Sequence, residues 1–309
     1  MFIEEYLQDL RRDRFTPAAI ALYARRVAAR VRNHLYANPA GVRSVWSAAL
    51  GLFAAAFAAA VGMALLYDRH LAADFLLYTT LWIVPVFALV TLFLELLRDR
   101  NGYRLSAINL PVTLTLLRLA LVPGLFLFLV RGHFRTALLV YGLASLTDIL
   151  DGWAARRWNQ VTRLGTVLDP QVDIVFSLAL LLALMVAGIL PAWVFALAAL
   201  RYAILLFGAT YLYLFHGPVK IYPTLFGRLT GVVVTAFIAL LLTLHALGGR
   251  LGGHLRDRLE TLTVTGLAVV LAATVVHVLA LGWYNLRVMT GAAAGARGRV
   301  VGDVRMGAK

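Results

Sequence analysis

Apolar residues run along most of this chain in long unbroken blocks rather than in alternation. Eight blocks, at approximately 47–67, 74–97, 110–130, 137–157, 167–189, 192–215, 229–247 and 261–285, each approach the ~20 residues an α-helix needs to cross a ~30 Å hydrocarbon core. Inside lipid a backbone must close its own hydrogen bonds, so each block predicts a helix. Alternating ten-residue segments, the mark of a membrane barrel, are absent from the sequence. The pattern predicts an all-α polytopic membrane bundle.

The pattern also divides the chain. Residues 1–46 predict a cytoplasmic basic amphipathic segment: Thr16 can cap a helix opened by Pro17, and Ile20, Tyr23, Val27, Val31 and Leu35 recur on one face among Arg25, Arg26, Arg30 and Arg32. Such a helix lies on lipid headgroups, or forms a small cytoplasmic cap packed on its own apolar stripe. It has no apolar core of the kind a cleavable secretory signal carries. Residues 47–104 read as an accessory two-span hairpin and linker, because "LFAAAFAAAVGMALL" holds no ion pair and "ELLRDRNGYRLSA" separates it from the six later blocks. Residues 105–286 form a core of six spans, and 287–309, rich in Gly, Ala and Arg, a flexible basic tail.

Composition agrees with the pattern: 61% hydrophobic, 14% charged, mean hydropathy +0.82. The absence of cysteine excludes disulfides, thiolate nucleophiles and thiolate metal sites. A net charge of +14 would suit nucleic acid in a soluble protein, but here most Lys and Arg fall in loops on the N-terminal side of the membrane. That bias places both termini in the cytoplasm, as in a bacterial inner membrane, with anionic lipid headgroups rather than nucleic acid as partners of the excess charge. Trp46, Trp193, Trp283 and Tyr284 fall near span ends, as interfacial anchors do.

The departure from this oily pattern is "DILDGWAARRWNQVTRLGTVLDPQVD", residues 148–173. Asp148 and Asp151 are spaced to share one helix face, and Asp169 and Asp173 to share a face of the next. An aspartate within a span costs at least ~2.5 kcal/mol on insertion scales, so four demand compensation. Interhelical salt bridges would supply it, yet Arg118 and Arg201 are the basic residues within spans and Arg156 sits at an edge. The surplus negative charge calls for cations. An all-oxygen set suits Mg2+, Mn2+ or Ca2+ rather than zinc, and two such ions could bridge a diphosphate for phosphoryl chemistry. Gly152 permits close approach beside the acids, Ala155 keeps the next turn small, Arg156 offers a fork for phosphate or carboxylate, and Gly165 marks the turn into the second helix.

The run Asp148-x2-Asp151-Gly152-x2-Ala155-Arg156-x8-Gly165-x3-Asp169-x3-Asp173 resembles the full signature of the CDP-alcohol phosphatidyltransferases. A gapless match of this length is far more specific than a lone Asp-x2-Asp. "NLPVTLTLLRLALVP", from Asn109 to Pro123, is similar to that family's first core helix and "GRLTG" at 227–231 to its fifth. The resemblance covers roughly 105–286 and leaves the hairpin and N-terminal segment unexplained. It implies a phospholipid-synthesis transferase that moves a phosphatidyl group from a CDP-linked donor such as CDP-diacylglycerol to an alcohol or polyol phosphate, releasing CMP. Asp148, Asp151 and Asp169 would ligate one or two Mg2+ or Mn2+ ions; Asp173 would ligate metal and act as general base. Gly152, Ala155, Arg156 and Gly165 would shape the CDP site, and a homodimer is implied as well.

Within the family the stretch looks most like phosphatidylglycerophosphate synthase-like members, which makes glycerol 3-phosphate the leading acceptor. The chain departs from them at Ile174, where they carry Lys, and at Arg201-Tyr202, where they carry Arg-Glu. Another polyol or a lipid acceptor stays open, and Arg118, Arg201 and Arg228 are candidates either for binding an acceptor phosphate or for structural pairing. Two rival readings remain. A UbiA-like prenyltransferase also uses membrane aspartates, but on well-separated helices. A divalent-cation transporter would need acids through the whole membrane depth, whereas the other acids of the spans, Asp74 and Glu95, lie at span ends. His277 reads as a core or interface histidine, not a ligand.

Overall fold

The computed structural model describes residues 9, 12–216, 225–250 and 252–306. Among them are nine α-helices, of which eight are long and apolar enough to cross a membrane. The one extended feature described is an isolated antiparallel bridge between Arg98 and Arg104. The all-α bundle predicted from the pattern is therefore what forms.

Helix α1 (Pro17–Ala37) begins at the predicted cap: the Thr16 hydroxyl accepts from the Ala19 N–H at 3.4 Å, and Pro17 supplies a φ already suited to the first turn. Its stripe turns inward at Tyr23, Val27, Val31 and Leu35, while Ile20 stays 48% exposed. A second cap comes at once. Asn38 accepts from the Gly41 N–H at 3.0 Å and opens α2 (Pro39–Leu66), so the first span starts earlier than its apolar block. α3 (Arg69–Leu92) returns antiparallel to it, and a short 3₁₀ turn at Leu94–Leu96 leads into the linker.

The core comprises α4 (Leu110–Val130), α5 (Phe134–Arg157), α6 (Arg163–Val186), α7 (Ala192–His216), α8 (Leu225–Leu247) and α9 (Gly253–Met306). α4 is the axis: 67% of its apolar stretch is buried in the protein, against 33% or less in any other span. It packs between α5 and α6 and receives α3 on another side; α8 lies on α5, and α9 against α7 and α8. The backbone of α9 runs helical from Gly253 to Met306.

Burial falls into two clusters, and the smaller one explains where the hairpin goes. Val45 of α2 and Phe87 and Val90 of α3 pack with Val112 and Leu116 of α4 and Leu164 of α6. In lipid such contacts hold by close packing rather than by escape from water. The accessory hairpin therefore grips α4 and α6 near their N-terminal ends, and α6 carries Asp169 and Asp173 one to three turns further on.

Candidate functional site

Three helix ends are locked together beneath the 148–173 stretch. Asn109 caps α4, accepting from the Val112 N–H at 3.3 Å, and its amide donates to the Gln160 carbonyl in the loop between α5 and α6 at 2.5 Å. Thr162 caps α6, its hydroxyl accepting from the Gly165 N–H at 3.0 Å. A Cβ on Gly165 would stand 3.2 Å from that hydroxyl and 3.5 Å from Val112, so glycine keeps the first turn of α6 close against α4.

On that frame α4 presents Thr115 and Arg118, one turn apart, toward both aspartate pairs. The Arg118 guanidinium, with its side chain 4% exposed, pairs with Asp148 at 2.8 Å and also with Asp151 and Asp173. The Thr115 hydroxyl lies 3.0 Å from Asp169, 3.3 Å from Asp151 and 3.1 Å from the Pro111 carbonyl, with one proton to donate among them. All four predicted carboxylates thus converge on one face of α4. They divide by depth: the Asp151 side chain is 10% exposed, those of Asp148 and Asp173 57% and 55%.

The remaining signature residues line the same mouth. The Arg156 guanidinium lies over Gly152, where a Cβ would meet its Nη1 at 3.3 Å, and it enters no ion pair among the described residues. Ala155 stays half-buried on the same helix, and half-exposed Trp153 and Trp158 stack edge to face at 5.5 Å. Arg201 does not join the aspartates. It lies 5.1 Å over the Tyr202 ring with its Nε buried and without a hydrogen-bond partner among the described residues. His277, half-buried, packs its ring at 4.7 Å against Phe226.

Four carboxylates facing one guanidinium leave a hard, all-oxygen donor set with more negative charge than its ion pairs neutralise, and that chemistry fits Mg2+ or Mn2+. Among the described residues, however, no three acidic or histidine side chains stand in a metal-holding arrangement. Arg118 occupies the point on which they converge.

A second ionic cluster flanks the mouth. Glu95, with its side chain 8% exposed, meets Arg30 at 3.0 Å, His34 at 2.9 Å and Arg98 at 3.8 Å. Burial, partly offset by Glu95, pushes the His34 pKa below the ordinary 6.5. The Arg98 carbonyl accepts from the Arg163 N–H at 3.0 Å, which ties this cluster to the start of α6. Sequence reading passed over Thr115, Thr162 and the role of Glu95. The only signal for Thr115 was its place one turn before Arg118.

A family model described as CDP-alcohol phosphatidyltransferase matches residues 108–285. The chain is 42% identical over 106 residues to a cardiolipin synthase (CMP-forming) of Streptomyces coelicolor, covering 32% of this chain and 49% of that protein. It is 39% identical over 84 residues to the human cardiolipin synthase (CMP-forming), covering 27% and 28%. To the CDP-diacylglycerol–glycerol-3-phosphate 3-phosphatidyltransferase of Aquifex aeolicus it is 40% identical over 75 residues, covering 24% and 42%. The alignments span about half or less of these relatives' own length.

Proposed function

Because the chain belongs to the CDP-alcohol phosphatidyltransferase family, we propose that it transfers a phosphatidyl group from CDP-diacylglycerol to the hydroxyl of a phosphate-bearing glycerol and releases CMP. The observation that carries this reading is the convergence of Asp148, Asp151, Asp169 and Asp173 beside an Arg156 that has no acidic partner among the described residues. It also displaces the two rivals, since neither a prenyltransferase nor a transporter has a use for Gly152, Ala155 and Arg156 beside the acids.

Asp148, Asp151, Asp169 and Asp173 would hold Mg2+ or Mn2+, whose bound charge would neutralise the diphosphate and stabilise departing CMP. Arg156 receives a diphosphate oxygen through its fork, and the small residues Gly152 and Ala155 let the nucleotide lie close to α5. The acceptor hydroxyl attacks the phosphorus that carries the diacylglycerol. The bond from that phosphorus to the CMP oxygen breaks, CMP leaves with the electron pair, and the hydroxyl proton passes to Asp173, whose open side chain is within reach of a diffusing alcohol. The loop-charge bias supports a site on the cytoplasmic face of the membrane, which this reading takes to be a bacterial inner membrane.

Glycerol 3-phosphate and phosphatidylglycerol share the feature this reading needs, a primary hydroxyl on a glycerol that carries a phosphate. Arg201, with a buried Nε and no acidic partner among the described residues, is the cation proposed to meet that phosphate. Membranes containing the protein, given labelled CDP-diacylglycerol, Mn2+ and a panel of alcohols, should release CMP. The lipid product identifies the acceptor: phosphatidylglycerophosphate from glycerol 3-phosphate, cardiolipin from phosphatidylglycerol. Release of pyrophosphate from a prenyl diphosphate with no CMP from any alcohol would refute the assignment.

A further inference from the structure

The four carboxylates have hard-ligand chemistry, yet three of them pair with one guanidinium, and among the described residues no three acidic or histidine side chains stand in a metal-holding arrangement. We propose that Arg118 is a built-in counter-cation that competes with the divalent metal for the same aspartates. This inference rests on the metal-binding reading of the aspartate site, and it concerns a residue outside the 148–173 signature.

Three features of the geometry support it. Arg118 contacts Asp148 and Asp151 on α5 and Asp173 on α6, so one side chain spans both aspartate pairs. Its side chain is 4% exposed and its Nε has no partner among the described residues, so the guanidinium is held by carboxylates on one edge alone and keeps a reason to turn elsewhere. Asp169, the one member of the set that Arg118 does not pair with, is held by Thr115 one turn earlier on the same helix. α4 therefore keeps the whole set assembled while the charge balance is provided from within the protein.

The consequences are physical. With no divalent ion bound, Arg118 prevents mutual repulsion from forcing the carboxylates apart. An arriving ion must take carboxylate oxygens from the guanidinium, and its charge repels that group across a short distance. Arg118 thereby acts as a positioning residue: it preserves the site and weakens its hold on metal, so the ion is exchangeable.

The test measures thermal melting of the purified, detergent-solubilised protein during Mn2+ titration, with no turnover required. In the unchanged chain Mn2+ should raise Tm, and Asp169→Asn should weaken that response. Arg118→Gln should melt lower than the unchanged chain without metal but bind Mn2+ roughly 10-fold or more tightly, because a repelling charge has gone. Arg118→Lys, which keeps the charge but cannot span both pairs, should fall between the two and carries the test if Arg118→Gln does not fold. Millimolar guanidinium should raise the metal-free Tm of Arg118→Gln and weaken its Mn2+ response; a purely structural arginine would produce no such competition. Unchanged or weaker Mn2+ binding in both variants would overturn the inference while leaving the metal site intact. An unchanged chain that ignores Mn2+ would overturn both.

Discussion

Glu95 and Arg118 organise two ionic clusters of opposite composition at the same end of the bundle. Around Glu95 one acid is met by Arg30, His34 and Arg98; around Arg118 one base is met by three aspartates, with a fourth held by Thr115. The first joins the N-terminal helix to the linker, where water and headgroups can absorb its excess positive charge. The second lies in helices that cross the membrane, where surplus charge is expensive and persists only if something uses it. A cluster with one acid among bases is a clasp, and a cluster with one base among acids is a site.

The contrast breaks most sharply at Asp173. Replacing it with Asn removes the proposed base and should lower the rate of CMP release by roughly 10²–10⁴-fold. CDP-diacylglycerol binding should suffer less than in Asp148→Asn, because Asp173 acts on the acceptor side. Comparable activity of purified Asp173→Asn and the unchanged chain would remove the mechanism.

The clasp should respond differently. Glu95→Gln should cost about 1–3 kcal/mol in thermal or denaturant unfolding by leaving Arg30 and His34 without their shared carboxylate. It should expose α1 to limited proteolysis while turnover per folded molecule stays close to normal. Loss of turnover on the scale of Asp173→Asn would mean that the two clusters are one functional unit, joined through the Arg98 carbonyl and the Arg163 N–H.

A smaller effect should appear with pH. His34 has a pKa below 6.5 in the folded protein, so its neutral form is the one that folding favours. Its contribution to stability is fully present above about pH 6.5, the unfolded value, and is lost as pH falls from there through the folded pKa. Proteolysis of α1 should therefore quicken on acidification below that point, and His34→Gln should flatten the profile. A profile unaltered by His34→Gln would assign the effect to another group.

Much of this was legible in the sequence because lipid simplifies the code. Unbroken apolar blocks had one satisfactory backbone solution, so eight spans could be placed, and charges among them were conspicuous enough to locate Asp148, Asp151, Asp169 and Asp173. Spacing within a helix showed which acids share a face. It could not show that α4 is the central helix, nor that Thr115 and Arg118 meet all four acids, because those contacts join residues 33 to 55 positions apart, apart from the closer pairing of Arg118 with Asp148. Glu95 was hidden for the same reason, with its partner Arg30 lying 65 positions away. The hairpin's hold on Leu116 and Leu164 likewise arises from packing, which an Ala- and Phe-rich block does not specify.

Whether the aspartates hold metal is decided by locating manganese through anomalous scattering in crystals of the protein soaked in Mn2+. Density is expected between Asp148, Asp151, Asp169 and Asp173, with the Arg118 guanidinium turned away from at least one carboxylate it pairs with here. Manganese found elsewhere, or an aspartate cluster still held by Arg118 with no metal at saturating concentration, would contradict the assignment.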